Sequence, residues 1–321
     1  MLHVRFILNT FVSGPQAWFF VADDRGYFAA EGLEVTFVPG DTLANAVPKV
    51  ASGAFDLGYG DLNAVITLAA EAPGAAPPAV FIMHNASPYT IAVAAEGPVR
   101  TPGDLAGRHL LSHADDAAWK MFDTFAAAAN VDPATVSVTP DGRHHRELLP
   151  LILAGTTDGL FGFVNTLASA AIEAGLDPTA FRHFEWRTIV PDLCGAAVIA
   201  SPAFIAAHPD AVRGFVRAVN RALADVVADP EAAIGAVRRR DPGIDVKANL
   251  ARLTGTLALE MAHPDGATYG IGAVDPARLD RAIDLVARVK GLTRRPATSA
   301  IFDARFLPAA DDRVRTLARR R

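Results

Sequence analysis

Short apolar runs rich in β-branched residues, each followed by a segment of helical period, recur through the first two-thirds of this chain. That alternation limits its fold more than any other feature. Residues 3–9 alternate in polarity as a half-buried strand does. Pro15 opens a helical segment to about Ala30, since its missing N–H would have no partner in a first turn. Gly32 breaks that segment, and Leu33–Val38 reads as a strand. Asp41 is the expected N-cap of a helix through Ala51 that Gly53 ends, residues 55–59 form a strand, and Asp61 caps the next helix. Strands follow at 80–84 and Tyr89–Ala94. The pattern restarts after Thr101-Pro102-Gly103-Asp104, with strands at 109–111, 136–138 and 159–161 among helices at 116–130, 146–153 and 165–174. Two more strands are expected at 184–186 and Ala196–Ala200. Such alternation implies an α/β fold with mainly parallel sheets. From Ser201 the character changes to a helical C-terminal third, with helices over 203–228, 231–239, 246–262 and 276–289 punctuated by prolines.

Two stretches echo each other. Gly53-Ala-Phe-Asp56-Leu-Gly-Tyr-Gly60 and Gly155-Thr-Thr-Asp158-Gly-Leu-Phe-Gly162 share the spacing G-x-x-D-x-x-x-G at the same point of two successive α/β units. The spacing alone is common. Its position fits two lobes of similar build, whose strand ends and following helix N-termini would face a shared ligand cleft.

The totals agree with two lobes. The chain has 321 residues, 51% hydrophobic and 20% charged, enough for packed cores. A net charge of −5 offers no basic face for a nucleic-acid partner. Cys194 stands alone, so neither an intrachain disulfide nor a cysteine zinc site can form. No stretch reaches the roughly 18 apolar residues of a membrane span. Met1-Leu2-His3-Val4-Arg5 runs straight into a strand with no signal-peptide pattern. A removed leader, a displaced start and a cytoplasmic protein all remain open on that ground.

Three motifs carry a family resemblance. The run from Gln16 through Trp18, Gly26-Tyr27-Phe28 and Glu31-Gly32-Leu33 to Val35 resembles the opening signature of the thiamine-pyrimidine/sulfonate/nitrate substrate-binding proteins of ABC importers. Val50-Ala-Ser-Gly53-Ala-Phe-Asp56-Leu-Gly58-Tyr-Gly60-Asp61 resembles the second signature, and Thr101-Pro-Gly-Asp104-Leu-Ala-Gly107 the turn opening the second lobe. The resemblance spans roughly residues 3–290 and is specific for fold rather than ligand. It implies a two-lobed, type II periplasmic-binding-protein-like fold. Lobe one would comprise 1–91 plus 195–321 and lobe two 92–194, with hinge crossings near 89–95 and 192–198. It further implies a small-molecule solute, a membrane permease as partner, a monomer, and a periplasmic or membrane-associated exterior location.

Candidate ligand residues sit where strands end. In lobe one these are Asn9, Phe11 and Gln16 after the first strand, Tyr59, Gly60 and Asp61 at the third, and His84 after the fourth. The resemblance places Gln16 where pyrimidine-binding relatives often show a histidine, and a glutamine can donate and accept at once. Asp61 reads equally as a helix cap, Tyr59 as core, and Gln16 as a solvated helix start. In lobe two the candidates are Ser112, His113, Phe163, Asn165, Glu185 and Asp192. The resemblance puts ligand contacts at 162–165, and Glu185 reads equally as a solvated strand-end carboxylate. His144, His145 and Glu147 invite a metal reading, but adjacent histidines on a helix diverge by about 100°, so no metal is expected there. The basic tail 313–321 reads as a frayed, solvated end.

The expected function is a solute receptor that closes on its ligand by hinge motion and does no chemistry, with no cofactor. No G-x-S-x-G, Walker A, HExxH or CxxC motif is present. The candidate list is rich in acceptors and aromatics and holds no arginine. It therefore favours a neutral or cationic pyrimidine-like heterocycle over a sulfonate or nitrate, unless Arg108, Arg143 or Arg187 reaches the site. The rival is an enzyme of the same fold: fungal thiamine-pyrimidine synthases resemble this family and use pyridoxal phosphate with an active-site histidine. Against it stand the missing cysteine-rich motif and scarce lysine, with Lys49 and Lys120 as the only Schiff-base candidates in the α/β lobes. A third reading, an effector-sensing domain, would need a DNA-binding module, and none is evident.

Overall fold

The computed structural model describes residues 1–317. The chain divides into two compact units, Met1–Ala86 with Cys194–Arg321, and Ser87–Leu193, so that it passes between them twice. Each unit has one five-stranded sheet. The strands are β1 (Leu2–Ile7), β2 (Leu33–Val38), β3 (Leu57–Asp61), β4 (Ala79–Ile82), β5 (Tyr89–Ala94), β6 (His109–Ser112), β7 (Ser137–Pro140), β8 (Gly159–Phe163), β9 (Phe181–Glu185) and β10 (Ala196–Ala200). The first unit's sheet has the order β2-β1-β3-β10-β4 and the second's β7-β6-β8-β5-β9.

The two orders are one topology. β1 pairs in parallel with β2 and β3, as β6 does with β7 and β8. One reversed strand then completes each sheet: β10 runs antiparallel to β3 and β4, and β5 antiparallel to β8 and β9. The α/β alternation is as expected, and the sheets are mixed through this one strand apiece. In each unit the reversed strand is the first one the chain forms on arrival. A parallel crossover needs a dozen or more residues, and the connection from β4 to β5 is too short for one. β5 therefore joins the other sheet.

The echoed motif is a register clip. Gly53 and Gly155 lie at φ +75° and +71°, the left-handed conformation that ends the preceding helices Leu43–Ala51 and His145–Leu153. Three residues on, the Asp56 amide donates to the Arg5 carbonyl at 3.0 Å while its carboxylate accepts from the Arg5 amide at 2.8 Å. Asp158 does the same to His109, at 2.9 Å in both directions. An arginine closes each clip: Arg5 Nη2 lies 2.6 Å from Asp56 and Arg108 Nη1 3.3 Å from Asp158. The motif thus fixes where the third strand begins against the first.

Local differences from the sequence reading have plain causes. The segment from Pro15 is a 3-10 turn at Gly14–Gln16 and helices at Ala17–Asp24 and Tyr27–Ala30, broken because Gly26 takes φ +68°. Thr42, not Asp41, caps Leu43–Ala51, accepting from the Asn45 amide, while Asp41 pairs with Lys49. The tail is tied down as far as Arg315: Ile271 donates to the Val314 carbonyl, and Arg315 donates to the carbonyls of Ala267 and Thr268. The rest of the proposed frayed end, 318–321, lies outside the described residues.

The helical third packs on the first unit's sheet. Phe215, on the helix Pro209–Ala228, stacks on Phe6 at 5.2 Å and on Phe28 at 4.9 Å, burying the aromatic core left by β1 and β2. Among the described residues no helix is long and apolar enough to cross a membrane. A buried ion pair within this third positions an arginine that also binds the loop after β4. Arg278 donates from Nε to Asp265 at 2.9 Å and from Nη1 to the Asn85 carbonyl at 2.8 Å. Burial would raise the Asp265 carboxyl, but the His263 and Asp275 hydrogen bonds and the Arg278 charge hold it below the usual carboxylate range.

Removing one member of a buried pair strands the other charge. Arg278→Met is expected to cost about 3–5 kcal/mol in urea unfolding. Arg295→Met, whose partners Asp280 and Asp284 are at the surface, is expected to cost about 0–1 kcal/mol. Equal losses would refute the anchoring role of the buried pair.

Candidate functional site

In the first unit, β1, β3 and β4 point the same way, and polar side chains gather beyond their carboxyl ends. Asn9, Tyr59, Asp61 and His84 are all buried there. Gln16 is fully buried too, and its amide is already engaged. Its Oε1 accepts from the Ser13 amide at 2.6 Å and from Ser13 Oγ at 3.1 Å, and its Nε2 donates to Asn9 Oδ1 at 2.6 Å. Gln16 is therefore the capping partner of a short turn and orients Asn9, rather than facing water as a helix start. Phe11 stays half exposed, with the Arg252 guanidinium 5.6 Å from its ring centre. The loop is pinned to the helix that carries Arg252, Val246–Gly255. Gly14 donates to Asn249 Oδ1 at 2.8 Å, and a Cβ on Gly14 would lie 2.2 Å from the Asn249 carbonyl oxygen.

At β3, Tyr59 Oη and His84 Nε2 are 2.8 Å apart, and Glu260 Oε2 lies 3.5 Å from the same nitrogen. Burial pushes the Tyr59 phenol well up, and the Glu260 charge adds to this against Arg252. Burial lowers His84 to about 3, with the Arg252 charge acting in the same direction. Both groups are therefore neutral at physiological pH. Asp61 is the helix cap, its Oδ1 accepting from the amides of Asn63 at 2.7 Å and Ala64 at 3.0 Å. Gly60 serves by lacking a side chain, since a Cβ there would meet Ile199 Cδ1 at 2.5 Å. Among the described residues of this unit, buried polar atoms without a hydrogen-bond partner include Trp18 Nε1, His84 Nδ1, Asn85 Oδ1 and Thr256 Oγ1. The Trp18 ring stands edge-on to Tyr59. Unsatisfied buried groups cost free energy, and a bound ligand would satisfy them.

Sequence reasoning missed Glu260, Thr256 and Arg252. Glu260 and Thr256 sit on a π-helical turn, Thr256–Met261, continuous with the helix before it. The buried positions 253, 256, 257, 260 and 261 follow a helical face, and a glutamate among leucines and methionine on such a face was the available signal. The arginine-free list is corrected accordingly. Arg252 acts electrostatically on Tyr59 and His84, while Arg108, Arg143 and Arg187 pair with Asp158, Asp141 and Glu185 in the other unit.

In the second unit the candidates are spread along the sheet. Ser112 is buried and donates to the His113 carbonyl at 3.0 Å. His113 Nε2 contacts the Arg143 carbonyl at 2.8 Å, and its ring lies 4.3 Å from that of His145. Phe163 packs against Tyr89 and is the N-cap position of the helix Val164–Glu173, whose second residue, Asn165, is buried. Glu185 is held by Arg187, and Asp192 is half-buried. His144 caps its helix, its Nδ1 accepting from the Arg146 amide and its own amide donating to Glu147.

A pyridoxal phosphate would need a lysine for its Schiff base. Lys49 pairs with Asp41 at 2.5 Å and Lys120 with Asp115 at 2.7 Å, both substantially exposed. Neither belongs to the buried cluster, which does not fit that cofactor.

Comparison with known proteins adds three findings. A family model described as NMT1/THI5 like matches residues 16–233. The 4-amino-5-hydroxymethyl-2-methylpyrimidine phosphate synthase of Schizosaccharomyces pombe is 24% identical over 238 residues, covering 71% of this chain and 66% of the synthase. The riboflavin-binding protein RibY of Chloroflexus aurantiacus is 25% identical over 239 residues, 67% of this chain and 60% of RibY. The chain thus spans less than two thirds of the length of either relative. The alkanesulfonate-binding protein SsuA from Xanthomonas axonopodis pv. citri, bound to MOPS, matches with a TM-score of 0.68 at 14% identity, over 94% of this chain and 98% of that one. The fold is therefore periplasmic-binding-protein-like. The expectation of a chain that does no chemistry is overturned by the synthase, a relative named as an enzyme.

The buried histidine provides a test of the site's electrostatics. Between about pH 3 and about 6.5 the unfolded chain binds a proton at His84 that the folded chain does not. Stability therefore falls on acidification through that window, by about 1.4 kcal/mol per pH unit from this group. Urea unfolding at pH 4.5 to 6.5 should show a shallower slope for His84→Gln than for wild type. Parallel slopes would mean that His84 is not held neutral.

Proposed function

The chain belongs to the NMT1/THI5-like family, and on that footing we propose that its first unit binds a small nitrogen heterocycle of pyrimidine type. The observation that carries this reading is the set of buried, unpartnered polar atoms, Trp18 Nε1, His84 Nδ1 and Thr256 Oγ1. Trp18 flanks Tyr59, Tyr59 meets His84, and His84 lies beside Glu260, on the turn that also carries Thr256. A planar ring with donors and acceptors on its edge matches this mixture. Asn9, oriented through Gln16, supplies a further amide.

The physiological role proposed is that of a solute receptor delivering its ligand to the permease of an ABC importer, outside the cytoplasm. The SsuA likeness in fold and the RibY likeness in sequence support it. The passages near 89–95 and 192–198 are proposed as hinge segments. A second reading, synthesis of a pyrimidine, is favoured by the Schizosaccharomyces relative. The absence of a lysine from the buried cluster weighs against a pyridoxal phosphate mechanism there.

Calorimetry with 4-aminopyrimidine, an alkanesulfonate and nitrate tests the ligand class. Binding of the pyrimidine alone is expected, weakened roughly tenfold or more by Asn9→Ala. Tight sulfonate binding with the pyrimidine silent would refute the reading. A new visible absorbance band on adding pyridoxal phosphate would favour the synthase reading.

A further inference from the structure

A second concave feature lies at the end of the first unit's sheet away from His84. β10 begins beside that histidine, where the Ala196 carbonyl accepts from the His84 amide, and ends at Ala200, whose amide donates to the Pro78 carbonyl at 3.1 Å. At about 3.4 Å per residue the strand separates its two ends by about 14 Å. The helix Leu62–Glu71 runs the same way, from its cap at Asp61 to the far end. There the surface holds a cavity of about 460 Å³, with Pro73, Pro78, Pro202 and Pro296 in its walls. Small-molecule pockets span about 300–1,000 Å³. All of the lining belongs to this unit, and none of it is shared with Asn9, Tyr59 or His84.

The walls are preformed. Each proline has its φ locked, and the Asp303 amide donates to the Ala79 carbonyl at 2.9 Å, which ties the C-terminal side of the cavity to the start of β4. Three guanidinium groups line the cavity, and they are not equivalent. Arg295 is spent on Asp280, Asp284 and the Pro296 carbonyl. Arg305 donates to Asp303 from Nε at 2.8 Å and from Nη2 at 2.6 Å, so the one carboxylate of the lining is already offset. Arg294 is exposed and has no hydrogen-bond or ion-pair partner among the described residues.

We propose that this cavity is a second ligand site, and that it takes a small organic monoanion, one carboxylate on a compact apolar body. The planar fork of Arg294 matches a carboxylate through two parallel N–H···O bonds. One guanidinium without a carboxylate suits one negative charge and not a polyphosphate. The proline walls gain from covering an apolar body, whereas a bare inorganic anion would leave them in water. The site does not depend on the heterocycle reading of the buried cluster.

A fluorine NMR titration of the full chain tests this with 4-fluorobenzoate, its neutral isostere 4-fluorobenzamide, and inorganic phosphate as competitor. Wild type is expected to bind the benzoate about fivefold more tightly than the benzamide, with phosphate at equal concentration displacing neither. Arg294→Gln removes a side chain that nothing in the fold uses, and is expected to lose about that fivefold preference while circular dichroism shows an unchanged fold. Ala297→Phe keeps every charge and fills the cavity from its lining, and is expected to abolish binding of both probes. Equal affinity for benzoate and benzamide, or an unchanged preference in Arg294→Gln, would overturn the anion site. Undiminished binding by folded Ala297→Phe, or loss of binding in Asn9→Ala instead, would place the probe elsewhere and overturn it too. Displacement by phosphate would remove the role of the apolar walls, and no binding to wild type would dispose of the site altogether.

Discussion

Strand β10 is the constraint on which the first unit depends. Among the described residues it is the only strand pairing with β4, and it fills the gap between β4 and β3. Val198 sits opposite Tyr59 on one side and Phe81 on the other. The strand that completes this sheet therefore comes from the segment that follows the second unit in the chain. The spacing of β3 and β4 across β10 also lets Tyr59, on β3, meet His84, two residues beyond β4, at 2.8 Å. The backbone amides of Met83 and His84 both donate to the Ala196 carbonyl, and Gly195 donates to the His84 carbonyl. His84 is thus locked by the returning segment, while Ala86 is tied to the Glu260 carbonyl. The segment that closes the sheet thus also holds His84 in place.

Burial gives that site its chemistry. A tyrosine, a histidine and a glutamate so close together in water would titrate nearly independently. Inside the unit the low dielectric strengthens each interaction and penalises each charge. The outcome is a neutral phenol against a neutral imidazole. Such a set discriminates by hydrogen-bond pattern rather than by net charge. A site built this way rejects a ligand lacking the matching donor, because its own buried groups are then left unpaired.

What was legible in the sequence follows the range of the forces involved. Alternation of strand and helix is local, so the α/β class and most element positions could be read. The Gly53–Asp56 and Gly155–Asp158 echo reported real structural equivalence, since each aspartate clips its own first strand. Strand direction is not local: nothing within Tyr89–Ala94 says that it will run against its neighbours. Gln16 was read as a ligand or solvated group because sequence cannot show that Ser13 and Asn9 consume its amide. Glu260 lies in the helical third, where the sequence reading places no candidate, though a glutamate in register with Leu253 and Leu257 is a local anomaly. The position of Arg252 over Phe11, across more than two hundred residues of chain, had no sequence signature.

Fold and family leave receptor and enzyme together, since a named synthase and named binding proteins share them. Catalysis through His84 as an acid–base group would want its pKa near the working pH, and burial with the Arg252 charge drives it to about 3 instead. In that state the imidazole is a hydrogen-bonding edge, suited to recognition. A ligand that displaced Arg252 from His84, or brought its own positive charge beside it, would change the balance in opposite directions: the first would raise the imidazole pKa and the second would lower it further. Burial is the larger cause of the lowered pKa and the Arg252 charge the smaller, so with the arginine moved the buried imidazole still favours its neutral, hydrogen-bonding form.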